Sequence, residues 1–236
     1  MSTIEAVAVV VPARDEEALL PDCLESVRVA AGAVDVPVVT VVALDSCVDD
    51  TAAVVARAGA IGVPLRSGRV GAARAAGTRA ALDALAGVAP QRVWVASTDA
   101  DSRVPAGWLR HHLALAAAGA DLVLGVVEPP DDGGLLDVVR TWRRAYARLV
   151  RPDGHEHVHA ANLGVRASAY LAAGGWADVA AHEDRLLAQA VAALPGRRVV
   201  TTVGAPVATS ARVLARAPHG LAADLRALAA ERPLGA

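Results

Sequence analysis

The chain has 236 residues, 54% of them hydrophobic, and a formal charge of −2 at pH 7. That length suits one large domain or two small ones with a sizeable core, and the absence of a basic block excludes non-specific nucleic-acid binding. No apolar run reaches the ~18 residues of a membrane-spanning helix. Every basic side chain among the 23 is arginine, and aromatics are scarce, with four Trp, two Tyr and no Phe. A core of small branched side chains follows, as parallel strands and closely packed helices require. The N-terminus lacks a basic segment followed by an apolar one, so no secretory signal is expected. Cys23 and Cys47 fit no C-x-x-C pattern. They read as thiols in a reducing compartment, with a disulfide left open. The expectation is a soluble, cytoplasmic protein.

Residues 7–11 are a continuous apolar strand ended by Pro12. Asp15-Glu16-Glu17 then places acids at the start of a helix, where the dipole favours them, with Leu20, Leu24, Val27 and Ala31 at helical spacing. A second strand over 36–44 empties into a polar loop, 45–51, ahead of a helix to about Ala60 and a short strand over 61–65. Residues 68–77 open a helix to about Ala86. The strand 93–97 runs into Asp99-Ala100-Asp101, and a helix over 105–118 leads to a strand over 122–127. This alternation predicts an α/β fold, a mainly parallel sheet with helices on both faces.

Beyond Glu128 the pattern loosens. A Pro/Gly loop covers 129–134, and a helix carries Trp142, Tyr146 and Leu149. A His-rich loop over 151–161 follows, then a helix ending at Gly174-Gly175 and another over 183–194, stopped by Pro195-Gly196. Residues 199–207 read as extended and 221–231 as a terminal helix. With no linker and no repeat, 1–236 reads as a single domain whose halves meet near residues 128 and 129.

Three strand ends in the first hundred residues are acidic: Asp15-Glu16, Asp45, and Asp99 with Asp101. In a parallel sheet all three lie along the edge where open α/β folds bind ligands. Two carboxylates two residues apart repel each other unless a cation intervenes. An all-oxygen pair suits Mg²⁺ or Mn²⁺ shared with a substrate phosphate.

Together these motifs resemble the family 2-type glycosyltransferases of the GT-A fold. Val9-Val10-Val11-Pro12-Ala13-Arg14-Asp15-Glu16-Glu17 is similar to that family's opening strand and P-x-x-N-E-E turn, with Asp15 for Asn and Arg14 where an aromatic is frequent. Residues 44–51 resemble its D-D-G-S-x-D-x-T loop with Leu44 for the first Asp, and residues 71–77 its G-x-x-x-A-R-N-x-G stretch with Ala75 for Asn. Asp99-Ala100-Asp101 matches its D-x-D. The resemblance implies a nucleotide-diphosphosugar donor lined by Pro12, Ala13, Arg14, Glu16 and Ala100, with Asp45 at the base and Arg74 facing the nucleotide. It puts Asp99 on the ribose side and Asp101 on a divalent metal, Mg²⁺ or Mn²⁺. The segment before residue 129 is then the nucleotide-sugar half and the rest the acceptor half.

His182-Glu183-Asp184 resembles the family's E-D motif at a helix start. By that likeness Glu183 and Asp184 are catalytic, and Asp184 takes the proton from the acceptor hydroxyl as it attacks with inversion. Positioned proton removal of this kind contributes ~10²–10⁴-fold. Asn162, His159 and Trp176 are implied on the acceptor side, Trp176 being equally suited to core filling. His219 would complete the metal shell, and Arg212 with Arg216 would neutralise the leaving diphosphate. The hydroxyl acceptor is not named by the sequence, nor is the oligomeric state, although a homodimer is admitted. Two other readings stay open. One is a nucleotidyltransferase or a non-catalytic nucleotide-binding domain. The other is a Zn²⁺ or Fe²⁺ site on His155, His157 and His159, which alternate along an extended segment.

Overall fold

The computed structural model describes residues 3–128, 136–151 and 154–210. His219, Arg212, Arg216, the loop expected at 129–134 and the helix expected at 221–231 lie outside them. The chain order is β1 (Ala6–Ala13), α1 (Leu20–Ala31), β2 (Val38–Asp45), α2 (Thr51–Arg57), β3 (Ile61–Leu65) and α3 (Val70–Ala84). Then come β4 (Val93–Ser97), β5 (Ser102–Arg103), α4 (Trp108–Ala117), β6 (Leu122–Glu128), α5 (Leu136–Ala147), β7 (Val150–Arg151) and β8 (Gly154–His155). The remainder is β9 (Leu163–Arg166), α6 (Ala167–Ala172), α7 (Glu183–Ala192) and β10 (Val199–Thr209).

Eight strands form one sheet in the order β3-β2-β1-β4-β9-β6-β10-β5. β1 lies between β2 and β4, parallel to both, and the register pairs Ala13 with Leu44 and Val10 with Ser97. The carboxyl ends of β1, β2 and β4 are therefore neighbours, so the three acidic strand ends share one edge. Residues 6–11 of β1 have no exposed surface. The sheet is covered on both faces, which is why this strand is continuously apolar rather than alternating.

The sheet is mainly parallel, as expected, and the exception in its middle is β9. β9 inserts between β4 and β6 and runs antiparallel to both. Four residues are too few to show a period, and Gly164 in the middle obscures the strand further. A Cβ at Gly164 would stand 2.3 Å from His112 Nδ1 and 2.5 Å from Trp94 Nε1, so the buried Trp94 demands glycine opposite it.

The helix expected from residue 15 begins at Leu20. Asp15 has φ of +48°, outside the helical region, and the acids there join two loops instead. Asp15 Oδ1 accepts the Val48 amide at 2.7 Å, and Thr51 Oγ1 accepts the Glu16 amide at 2.7 Å. Asp49 Oδ2 accepts the Glu17 amide at 3.1 Å, and Glu17 Oε2 accepts the Asp50 amide at 2.9 Å. α4 likewise starts at Trp108, because Pro105 heads a turn closed by the Trp108 amide on its carbonyl. No helix among the described residues is long and apolar enough to cross a membrane.

The floor beneath β6, β9 and β10 is a buried polar knot. Asn162 donates to the carbonyls of Val126 at 2.9 Å and Ala205 at 3.1 Å, while its oxygen accepts from Trp108 Nε1 at 2.9 Å. His112 Nδ1 accepts from Trp94 Nε1, so its Nε2 carries the proton and donates to the same Asn162 oxygen at 3.2 Å. Burial, only partly opposed by the Asn162 bond, pushes the His112 pKa down to about 4. Protonating Nδ1 would set two donors face to face.

The sign of the linkage follows. The folded pKa lies below the unfolded value, so stability is full above about pH 7 and falls as pH drops from about 6.5 towards 4. This one group is worth about 3 kcal/mol over that interval. Denaturant midpoints at pH 7.5, 5.5 and 4.5 should decrease in that order, and His112→Gln should reduce the dependence to the share left by the other buried histidines. A midpoint indifferent to pH would contradict the assignment.

Candidate active site

Four loops meet at the carboxyl edge of β1, β2 and β4. Asp45, at the end of β2, is buried and fully engaged: Oδ1 accepts from Ser67 N at 2.8 Å, Gly68 N at 3.2 Å and Ser46 Oγ at 3.1 Å, and Oδ2 accepts from Ser67 Oγ at 2.8 Å. Burial pushes its carboxyl up, but these hydrogen bonds outweigh burial and hold it below the usual value. Asp45 thus clamps the loop after β3, and a base would share it with that loop. Pro12 and Ala13 finish β1, Arg14 projects to the surface, and Glu16 and Ala100 are buried beside them.

The D-x-D turn is held from behind. Cys23 Sγ donates to the Asp99 carbonyl at 3.3 Å, and the Ser210 amide, just past β10, donates to the Asp101 carbonyl at 3.2 Å. The Cys23 thiol is pushed well up by burial and then by Asp99, Asp101 and Glu16, so it stays protonated and keeps that donor. Asp101 is half-buried and the Asp99 side chain keeps 38% of its exposure.

Arg74 does not face open space. It is 2% exposed and its guanidinium binds three groups: Nη2 to Asp99 Oδ1 at 2.6 Å, Nε to Glu183 Oε1 at 3.1 Å, and Nη1 to Ser97 Oγ at 3.4 Å. Its carbon Cζ lies 5.6 Å from the centroid of the Trp176 ring. Trp176 is itself buried, its Nε1 donating to Thr78 Oγ1 at 3.1 Å, one helical turn beyond Arg74. The expected stacking face for an acceptor ring is therefore spent on Arg74 and the core. The glycines of the 71–77 stretch explain how α3 gets so close. A Cβ at Gly77 would be 2.7 Å from Val10 Cγ1 in β1, and one at Gly71 would be 1.9 Å from the Ala177 carbonyl oxygen. The Gly71 amide donates to the Val179 carbonyl at 3.1 Å.

The segment gripped by α3 delivers Glu183 and Asp184. His182 turns the chain with φ of +66°, and α7 starts at the next residue. Glu183 points inward to Arg74 and is 5% exposed, so it has no face for substrate; its role is to pair with the arginine. Burial pushes the Glu183 carboxyl up, and Arg74 opposes that rise. Asp184 points the other way, half-buried, with Oδ2 accepting the Ala160 amide at 3.1 Å and Oδ1 the Arg185 amide at 2.7 Å. Of the E-D pair, Asp184 has the more exposed carboxylate.

The acceptor assignment of Asn162 gives way to a structural one. Both its N–H groups and its oxygen are committed to the buried knot, and it has no exposed surface. The three histidines do not converge either. His157 stacks on Tyr146 with ring centroids 3.5 Å apart, and Tyr146 stacks on Trp142 at 4.4 Å. His155 and His159 flank the pile at 5.7 and 5.9 Å from His157. Stacked imidazoles point their nitrogens sideways in their own planes rather than at a shared centre, and no metal-ligand grouping forms among them in the described residues. His155 and His157 use Nε2 on the carbonyls of Thr202 and Tyr146. His159 Nε2, like His155 Nδ1, is buried without a hydrogen-bond partner, and His159 adjoins the residue that holds Asp184. Burial, then His157, His155 and Arg185, push the His159 pKa down to about 4, so the ring is neutral near pH 7.

The model of the family described as Glycosyl transferase family 2 matches residues 8–170. The chain belongs to that family. The match runs from β1 through α6 and takes in the D-x-D, while Glu183 and Asp184 follow it. No curated protein matches the chain.

Solved structures agree with the GT-A fold of this family 2 member. Staphylococcus aureus TarS, residues 1–349, is similar with a TM-score of 0.61 and 15% identity over 87% of this chain and 60% of that one. The same fragment in complex with UDP-GlcNAc gives 0.64 and 15% over 95% and 66%. Glucosyl-3-phosphoglycerate synthase from Mycobacterium tuberculosis, in complex with Mn²⁺, UDP and glucosyl-3-phosphoglycerate, gives 0.59 and 19% over 88% and 73%. The chain thus spans less than two thirds of the length of the TarS structures.

Within the family 2 site, the D-x-D donor set suits a hard divalent ion. It is all carboxylate, and Arg74 already occupies one Asp99 oxygen. The pair offers the one or two carboxylates by which protein holds Mg²⁺ when phosphate supplies the rest. The one three-ligand grouping among the described residues is Asp15, Cys47 and Asp49. Its carboxylates already accept loop amides, and it serves as the staple described above. In the sequence Ser67 and Gly68 carry no signal beyond a polar Ser-Gly pair after a short strand.

Proposed function

We propose that this chain transfers a sugar from a nucleotide-diphosphosugar to a hydroxyl acceptor, with Asp184 as the base and inversion at the anomeric carbon. The observation that carries this reading is the meeting of the D-x-D strand end and the E-D helix start in one site, with Asp184 turned outward beside it. Family membership supports the reaction class, and the UDP-bound TarS and synthase structures support a uridine diphosphate donor. The acceptor oxygen forms its bond to the anomeric carbon as the bond to the diphosphate oxygen breaks, and the acceptor proton passes to the Asp184 carboxylate. Asp101, with the free oxygen of Asp99, would hold Mg²⁺ or Mn²⁺, which when bound neutralises charge on the departing diphosphate. The ribose and base would lie over Pro12, Ala13 and the clamp at Asp45, within reach of Arg14. His159 borders the acceptor side through its neighbour Ala160, whose amide holds Asp184.

Thermal shift with UDP-, GDP- and dTDP-sugars, each with and without Mn²⁺, tests this. One nucleotide class should raise Tm by a few degrees in a metal-dependent way, as mass action requires at ligand well above Kd. Stabilisation by none of them would overturn the reading, and stabilisation indifferent to metal would remove the D-x-D role.

A further inference from the structure

Arg74 joins two motifs that no local feature connects: Asp99 is 25 residues away and Glu183 is 109. We propose that Arg74 is a positioning residue that transmits occupancy of the D-x-D to the acidic pair opening α7, so that a bound nucleoside diphosphate sets the base in place. The proposal rests on the glycosyltransferase reading of the same site. Its physical basis is the fork of the guanidinium. Nη2 and Nε are rigidly related in one plane, so a shift of Asp99 towards a bound ligand cannot leave Glu183 where it is.

The surroundings make that linkage stiff. Arg74 is packed against the face of Trp176, Trp176 is tied to Thr78, and Thr78 Oγ1 donates to the Arg74 carbonyl at 2.8 Å, so ring, helix and guanidinium move together. Below, the Gly71 contact with residues 177 and 179 leaves no slack between α3 and the segment leading to Glu183. Arg69 adds a clasp on Asp178 at 2.7 Å. Glu183 is in turn the neighbour of Asp184, whose Oδ2 accepts the Ala160 amide. A rotation of the first turn of α7 driven through Glu183 therefore moves the base and residue 160 as one.

The charge pattern points the same way. One buried arginine faces two carboxylates, and a ligand that engages Asp99 leaves more of the guanidinium to Glu183. A buried charge left without its partner strongly destabilises a fold. Arg74→Gln alone is therefore a poor probe, and Arg74→Gln with Glu183→Gln removes both charges together.

The experiment is hydrogen exchange by mass spectrometry on the full chain, with and without UDP and Mg²⁺, alongside calorimetric titration of UDP with Mg²⁺. In the unaltered protein UDP should slow exchange both at 66–69 and at 182–187. In the double variant protection at 66–69 should persist, with Kd within about fivefold, while protection at 182–187 disappears. Glu183→Gln, whose amide oxygen still accepts from Nε, should retain protection at both places. Protection at 182–187 that survives in the double variant, or that is absent from the unaltered protein when UDP binds, overturns the coupling. A Kd raised by about 100-fold or more would instead make Arg74 a direct nucleotide ligand and also overturn it. Failure of UDP, GDP and dTDP alike to bind the unaltered protein is a separate outcome, which sinks the glycosyltransferase reading and the coupling with it.

Discussion

Asp184→Asn should leave nucleotide binding intact and abolish sugar transfer. The substitution keeps the shape of the side chain, and an amide oxygen can still accept the Ala160 N–H now held by the carboxylate at 3.1 Å. What it loses is basicity. A sugar hydroxyl is a weak nucleophile near pH 7, and loss of a positioned base costs about 10²–10⁴-fold in turnover. Release of nucleoside diphosphate from the donor that stabilises the protein should fall by that factor, with the Kd for UDP and Mg²⁺ changed by less than about threefold. Turnover that survives would remove Asp184 from the mechanism. Glu183→Gln makes the contrast, because its carboxylate faces Arg74 and not the acceptor side.

Asn162→Ala should be the most destabilising single change in the second half of the chain. The side chain satisfies four partners at once, and its loss orphans the carbonyls of Val126 and Ala205 and the N–H groups of Trp108 and His112. Each buried unsatisfied group costs about 1–3 kcal/mol before relaxation. A net loss of about 4 kcal/mol, equivalent to a Tm lowered by about 10 °C in a chain of this size, is the expected result. Nucleotide affinity measured well below that Tm should be unchanged. A variant of ordinary stability with impaired transfer would return Asn162 to the acceptor side.

The contrast between these two residues shows what could be read from sequence. The start of α7 at Glu183 and Asp184 is legible because its neighbourhood is local: an acidic pair at a helix start needs only the next turn of chain to make sense. The strands β1 and β4 and their acidic ends were legible for a similar reason, as unbroken apolar runs that stop at carboxylates. Asn162 was misread because its four partners come from β6, α4 and the bulged stretch of β10, none adjacent in sequence. β9 was missed because four residues carry no period and a glycine interrupts them. Arg74 lies between these cases. Its motif was recognised, but the direction of its side chain depends on residues 99, 176 and 183, which only the folded sheet brings together. The histidines failed as a metal site because alternation on a face says nothing of whether rings stack or converge.

The two halves read from sequence meet near residue 128, and the family match stops at residue 170. Neither point is a place where the molecule can be cut. The contact of Gly71 with the backbone at 177 and 179, and the guanidinium shared by residues 99 and 183, bind the first half to chain that follows it by a hundred residues. A fragment ending at 170 would carry a desolvated cation with half its anions missing and an open groove along α3. Split versions of this protein should therefore reassemble only as complementary pieces, each insoluble or unfolded alone, and insertions are better tolerated at the exposed turn around Gly196 than at either apparent boundary.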